Sequence, residues 1–179
     1  MGTRFPVLLD RVKRDLYEYE QELAAVDRVS AGKTQDEIHT HVLQLQPSFN
    51  RLFNHHLDLL EQHASGLPKR QRMVEGRLLR SIFERFISQA PFMHRTNVKP
   101  RGYMGDSEMM RMLYDNKYSG DTLFGRLLHK HILETPAANA VRNRRVFIAN
   151  ELRQRAHAHA SRDPIDILSV ACMYIQLSI

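Results

Sequence analysis

Histidine has the widest chemical repertoire of the side chains in this sequence, and the chain carries ten of them. Such residues can transfer protons near neutral pH or ligate a metal ion. Six of the ten occur in pairs two residues apart, which on a helix point in different directions. His55, His56 and His63 have the spacing that could bring imidazoles near one metal ion. Packed helices commonly place histidines in this way, so we predict no metal site in the chain.

Basic residues are concentrated in two short stretches, KRQR at 69–72 and RNRR at 142–145. The formal net charge is +6, but the 20 acidic residues are interspersed with the 26 basic ones over most of the chain. A nucleic-acid surface also needs stacking aromatic residues or a recognition motif, and neither accompanies these stretches. We therefore expect the first stretch to be a solvated helix face, with nucleic acid as an unfavoured partner.

The sequence contains no pattern typical of a catalytic centre. No nucleophile stands in a recognisable arrangement with a base, and no glycine-rich phosphate loop occurs, so we predict no catalytic residues. The single cysteine, Cys172, cannot form an internal disulfide, which fits a reducing compartment. Neither a run of about 18 apolar residues nor a leader pattern is present, so we expect a cytoplasmic protein without a membrane span.

Three amphipathic helices are predicted in the first ninety residues. Apolar residues recur there at steps of three and four, which draws one apolar stripe along each helix. Breaks fall at Gly32 and at Gly66-Leu67-Pro68, and Pro47 is expected to kink or divide the second helix. Three such stripes can be buried only against one another or a further element, so we predict a helical bundle over residues 1–95.

A second helical region, residues 96–160, follows an irregular connection predicted from Pro91 to Gly105. Asp106 is well placed to cap the helix that starts at Ser107. Two more helices follow, and the last begins at Thr135-Pro136. On that helix Arg144 falls among apolar positions, so its guanidinium either pairs with a carboxylate of this region or extends to solvent.

After residue 160 the pattern changes from helix to strand. Residues 165–171 make a short, nearly continuous apolar run, which is typical of a strand buried on both faces of a parallel sheet. A lone strand of this kind is not stable, so it needs neighbours. The predicted fold class is therefore all-α, a helical bundle followed by a helical lid-like region, with one short orphan strand within residues 161–179.

The segment from about Lys99 to Cys172 resembles a known protein family. The resemblance is carried by KPRGYMGDSEMM, LYDN, GDTLFGRLLHKHIL, PAANAVRNRR and DILSVAC. These motifs are similar to the region that precedes and opens the catalytic domain of bacterial S-adenosylmethionine-dependent methyltransferases that make extracellular factor, 3-hydroxypalmitic acid methyl ester, a quorum signal. The resemblance covers less than half of the chain, and residues 1–90 match that family only in helix content.

The resemblance implies that residues 167–171 correspond to the first strand of the methyltransferase sheet. In complete family members that strand leads into a glycine-containing turn that takes the cofactor, S-adenosylmethionine. Here Met173 stands where glycine is expected, and no acidic residue follows for the ribose hydroxyls. The implied protein is a methyltransferase chain truncated just at the start of its catalytic domain, with no cofactor bound by this chain alone.

The resemblance also implies a substrate-side subdomain that holds an anionic fatty or hydroxy-fatty acid. The implied substrate-binding residues are Tyr103, Asp106, Met109, Met110, Arg142 and Arg145. The tyrosine would offer a hydroxyl or a ring wall, the aspartate would cap a helix or pair with Arg144, and an arginine would clamp the carboxylate. The methionines would line an adaptable apolar pocket, although methionines at such positions are more commonly core.

The function predicted on these grounds is the non-catalytic, N-terminal portion of such a methyltransferase, inactive alone. Two alternatives stay open. One is a free-standing helical binding or regulatory module for an acyl ligand or a partner protein. The other is a methyltransferase completed in trans, in which a second copy or another chain pairs with the exposed strand.

Overall fold

The computed structural model describes residues 4–29, 35–103 and 105–158. Within these ranges the chain forms seven α-helices and no strand, which confirms the predicted all-α class. The helices are α1 (Arg4–Val29), α2 (Gln35–Ser65), α3 (Lys69–Ile87), α4 (Pro91–Val98), α5 (Ser107–Asp115), α6 (Leu123–Leu133) and α7 (Pro136–Ala158). The predicted strand, the position of Met173 and the predicted break at Gly32 lie outside the described residues.

The main hydrophobic core lies between α1, α2, α3 and α6. Phe49 of α2 is fully buried at its centre, and its ring contacts those of Tyr19, Phe53, Phe124 and His131. The apolar stripes predicted for α1 and α2 thus pack against each other in a core, as expected for helices with one apolar face. Helix α2 runs through Pro47 as one element, so of the predicted kink or division, the division does not occur.

Helix α6 is the central element of this core. It packs against α1, α2, α3, α4 and α7, and eight of its eleven residues are buried. Gly125 lets the first turn of α6 approach the link between α3 and α4, because a Cβ there would lie 2.5 Å from the Gln89 carbonyl oxygen. Sequence reasoning placed this helix in the lid-like region, whereas the structure places it within the bundle.

The apolar face predicted for α3 is buried only in part. Phe83 and Phe86 are in the core, but Val74 and Leu78 are exposed. Helix α6 is about 16 Å long and α3 about 28 Å, so α6 covers only part of α3.

A second, smaller hydrophobic cluster joins α4, α5 and α7 to the end of α6. Leu113, Leu133 and Ala138 are its buried members, and Phe92, Met110 and Val141 pack against them. Helix α4 occupies part of the stretch that was predicted to be irregular, so that prediction is wrong for Pro91–Val98. Proline at the first helical position suits a helix start, and the sequence signal was missed because the helix is only eight residues long.

Candidate functional site

Asp106 lies at the junction between α4 and α5 and is 1 % exposed. Its two carboxylate oxygens accept hydrogen bonds from the Arg95 guanidinium at 2.6–2.9 Å, and Oδ1 also accepts from the backbone N–H of Met109 at 3.0 Å. The hydrogen bonds from Arg95, with the one from Met109, hold the pKa of Asp106 at about 2. The predicted capping role is confirmed, and the ionic partner is Arg95 rather than Arg144. A carboxylate so occupied positions α5 and does not face a ligand.

The turn that leads from α4 into Asp106 has an unusual backbone. Lys99, Gly102 and Gly105 all have positive φ angles, of 49°, 80° and 79°. The two glycines adopt this left-handed conformation without strain, so they permit the tight turn. Tyr103 stands between them with 49 % of its surface exposed. No hydrogen bond or ion pair among the described residues joins it to another predicted substrate-binding residue.

The two methionines fill space between helices. Met109 is buried, with its sulfur 4.0 Å from the Thr96 hydroxyl, and Met110 packs on the second cluster beside Leu113. Both placements agree with the alternative that methionines here are core residues. Methionine suits such a junction because its flexible thioether adapts to irregular gaps.

The arginines of α7 have three different environments. Arg142 is half-buried and donates to the Leu113 carbonyl oxygen at 3.2 Å, to Asn139 and to the Glu134 carboxylate. Arg144 is exposed, which agrees with the alternative that its guanidinium extends to solvent. Arg145 is also exposed, and its guanidinium lies 5.4 Å from the centre of the Tyr114 ring. Of the two predicted clamp residues, Arg142 is engaged in holding α5 to α7, whereas Arg145 faces solvent beside an aromatic ring.

Glu134 is the centre of a cluster of hydrogen bonds and ion pairs that the sequence analysis did not predict. Its carboxylate accepts from Asn116 Nδ2 at 2.7 Å and from Lys130 Nζ at 2.8 Å, in addition to Arg142. Asn116 caps the C-terminus of α5 in the left-handed conformation, and its backbone carbonyl oxygen accepts a hydrogen bond from Lys130 Nζ. The sequence did carry a signal for this cap, because an asparagine just after a helical pattern is common at helix C-termini.

Two neighbouring histidines of α6 are buried and serve as structural hydrogen-bonding groups. His129 Nδ1 accepts from the Phe92 backbone N–H at 3.3 Å, and burial, with Lys130 nearby, lowers the pKa of His129 to about 4. The Nδ1–H group of His131 donates to Asn50 Oδ1 at 2.9 Å, and burial lowers the pKa of His131 as well. Both imidazoles are therefore neutral at pH 7.

The histidine group singled out from the sequence does not assemble a metal site. His63 Nε2 lies 2.7 Å from a Glu75 carboxylate oxygen, while its ring stacks on Phe5. His56 is buried with Nε2 3.6 Å from an Asp15 oxygen, and burial lowers its pKa. Nowhere in the described ranges do three potential ligands converge as a metal ion would need.

A cleft of about 450 Å³ opens where the end of α3, the start of α4 and the start of α6 meet. Its lining residues are Ser88, Gln89, Pro91, His94, Gly120, Asp121 and Thr122. The Ser88 hydroxyl donates to the Arg85 carbonyl oxygen, and within the part of the chain that the structure describes no hydrogen bond joins it to His94 or Asp121. The cleft therefore lacks an activated nucleophile, and it contains none of the predicted substrate-binding residues.

Comparisons with protein-family models, with curated proteins and with solved structures find no match to this chain. Among the described residues, the helices are too short or too polar for any of them to cross a lipid bilayer.

Proposed function

We propose that this chain is the non-catalytic, substrate-side portion of an S-adenosylmethionine-dependent methyltransferase that acts on a fatty or hydroxy-fatty acid carboxylate. By itself it transfers no methyl group. The proposal rests on the resemblance of residues 99–172 to that family, and S-adenosylmethionine would be bound by the catalytic domain that follows in complete members.

One structural observation carries the proposal. Within the resembling segment, the first turns of α6 lie in the bundle core, whereas α5, α7 and the end of α6 contribute most of the second hydrophobic cluster, which follows the turn at Lys99–Asp106. A small cluster held by polar contacts is the arrangement expected of a cover that moves over a cleft. Arg145 and Tyr103, both exposed on this region, are the side chains through which it would contact a carboxylate.

The test is calorimetric titration of the purified chain with S-adenosylmethionine and, separately, with a long-chain 3-hydroxy fatty acid. We expect heat of binding from the fatty acid and none from the cofactor. Arg145→Ala should weaken fatty-acid binding by roughly tenfold, since one charge-assisted contact is worth about 1.5 kcal/mol. Arg153→Ala, an exposed arginine on the same helix, is the matched control and should leave binding unchanged. Micromolar binding of S-adenosylmethionine would contradict the proposal.

A second candidate is a free-standing helical interaction module. The exposed apolar residues of α3, Met73, Val74 and Leu78, favour it, because adjacent exposed apolar side chains mark interaction surfaces. Absence of binding to both titrants, with a stable folded chain, would place this candidate first.

A further inference from the structure

The second half of α7 exposes apolar side chains on several sides of the helix. Val146, Phe147 and Ile148 are 59 %, 64 % and 38 % exposed, and successive residues of a helix point about 100° apart. The first half of α7 is anchored differently, since Ala138 is buried and Val141 packs on the second cluster. Adjacent exposed apolar side chains of this kind are typical of a docking surface.

The charge around this surface limits what the cover can be. The same half-helix carries four exposed arginines and one glutamate: Arg144, Arg145, Arg153, Arg155 and Glu151. A second copy of α7 would bring two such positive helices together, which costs free energy.

The sequence after α7 has the complementary chemistry. Residues 165–171 form the apolar run IDILSVA, and Asp163 and Asp166 supply acidic groups against a single arginine, Arg162. Residues 159–164 can span about 20 Å when extended, whereas Phe147 lies about 16 Å back along the helix from Ala158. The run can therefore return alongside Val146–Ile148 without unwinding α7.

We propose that residues 165–171 dock on the exposed apolar half of α7, with Asp163 and Asp166 facing its arginines. The side chains of Phe147 and Ile148 would then contact the isoleucines and leucine of the run. This docking does not depend on the proposed function, because it concerns two segments of the same chain.

The single cysteine makes the docking measurable in the whole chain. A nitroxide attached to Cys172, next to the run, would broaden the amide NMR signals of whatever surface the run contacts. We expect broadening over Arg144–Leu152 of the same molecule. Phe147→Asp should reduce the docked population about tenfold, since it removes a buried aromatic contact and adds a charge among apolar groups.

Two controls make the result decisive. Val74→Asp places the same charge at a comparably exposed apolar residue, 61 % exposed on α3, and should leave the broadening unchanged. Some broadening near Ala158 is expected only because the labelled Cys172 follows it closely in sequence. That broadening should persist in Phe147→Asp, so the difference in broadening between the native chain and Phe147→Asp measures docking. Both substituted residues are exposed, and an unchanged far-ultraviolet dichroism spectrum would show that the helices remain folded.

A mixed sample separates the chain's own tail from that of a neighbour. In it, nitroxide-labelled chains without ¹⁵N are combined with unlabelled ¹⁵N chains. Broadening of Arg144–Leu152 only in the mixed sample would overturn the proposal and identify a second copy as the occupant. An unchanged signal over Arg144–Leu152, or a signal equal in the native chain and in Phe147→Asp, would also overturn it.

Discussion

The four-helix core and the α4–α5–α7 region hold their helices together by different chemistry. The core between α1, α2, α3 and α6 is built from large apolar and aromatic side chains that are almost fully buried. The α4–α5–α7 region has three buried apolar residues of its own, Met109, Leu113 and Ala138, and a set of directional polar contacts around Asp106 and Glu134. Apolar burial is insensitive to pH, whereas ion pairs and capping carboxylates depend on the charge of their groups.

This difference indicates two levels of stability within one chain. The bundle should unfold last, and the α4–α5–α7 region should open first when salt screens its ion pairs. A region of this kind can rearrange around a ligand at small cost, which is the property that a substrate-side cover needs. Four substitutions test the comparison.

The largest effect is expected in the bundle, from Phe49→Ala. Phe49 is fully buried and contacts four other rings, so its removal leaves a cavity and should destabilise the chain by about 3–5 kcal/mol. Urea unfolding followed by circular dichroism measures the loss. Leu43→Ala, at a half-exposed position of the same helix, is the control and should cost less than about 1 kcal/mol. Equal losses in the two variants would contradict a core centred on Phe49.

A smaller and more local effect is expected from Asp106→Asn. The substitution removes the partner of Arg95 and weakens the cap of α5, so amide hydrogens of α5 should exchange roughly tenfold faster while those of α1 and α2 are unchanged. In the native chain the pKa of Asp106 is lowered to about 2, from a usual value near 3.8. Its stabilising contribution is therefore present above about pH 4 and is lost as the pH falls through 2.

Asp106→Asn should remove that part of the acid unfolding profile. Glu108→Gln, in the first turn of the same helix and paired with Arg111, serves as the comparison and should change exchange in α5 much less. Faster exchange throughout the bundle in Asp106→Asn would show that the two regions are not separate levels of stability.

His129 links the two regions, and acid should break that link. Its folded pKa of about 4 lies below its ordinary value near 6.5, so its contribution is full above pH 6.5 and is lost as the pH falls towards 4. The loss is on the order of 2–3 kcal/mol. His129→Asn keeps an acceptor for the Phe92 N–H but cannot be protonated, so stability measured from pH 7 to 4 should fall less steeply than in the native chain. His56 and His131 shift in the same direction, so part of the slope should remain. An unchanged slope would show that His129 does not sense pH.

The smallest effect, and one of opposite sign, is expected at Lys99. This exposed residue caps α4 with φ 49°, a conformation that favours glycine. Lys99→Gly should stabilise the α4–α5 turn by about 0.5–1 kcal/mol, visible as a higher unfolding midpoint or slower exchange in α4. Asn97→Gly, inside α4, should instead destabilise it by about 0.3 kcal/mol. Destabilisation by Lys99→Gly would show that the lysine side chain contributes more than its backbone conformation costs.

Sequence patterns predicted the bundle better than they predicted the candidate site. The stripes of α1 and α2 and the cap at Asp106 follow from period and residue type, which act over a few neighbouring residues. The pairing of Asp106 with Arg95 could not be read in the same way, because many arginines of this chain lie at a suitable distance in sequence. Nor could the short helix α4 be recognised, since one turn or two of helix carry little periodic signal.

Sequence by itself determined that the chain is helical, where most helices begin, and that Asp106 begins one of them, because these properties depend on local backbone and side-chain chemistry. Tertiary structure alone decided that α6 enters the bundle core, that Arg142 is engaged by Glu134 and the end of α5, and that none of the described helices covers Val146–Ile148. These outcomes depend on which helices meet and how far each one reaches. Burial and ion pairing between distant residues are set by that packing, and no local pattern specifies it.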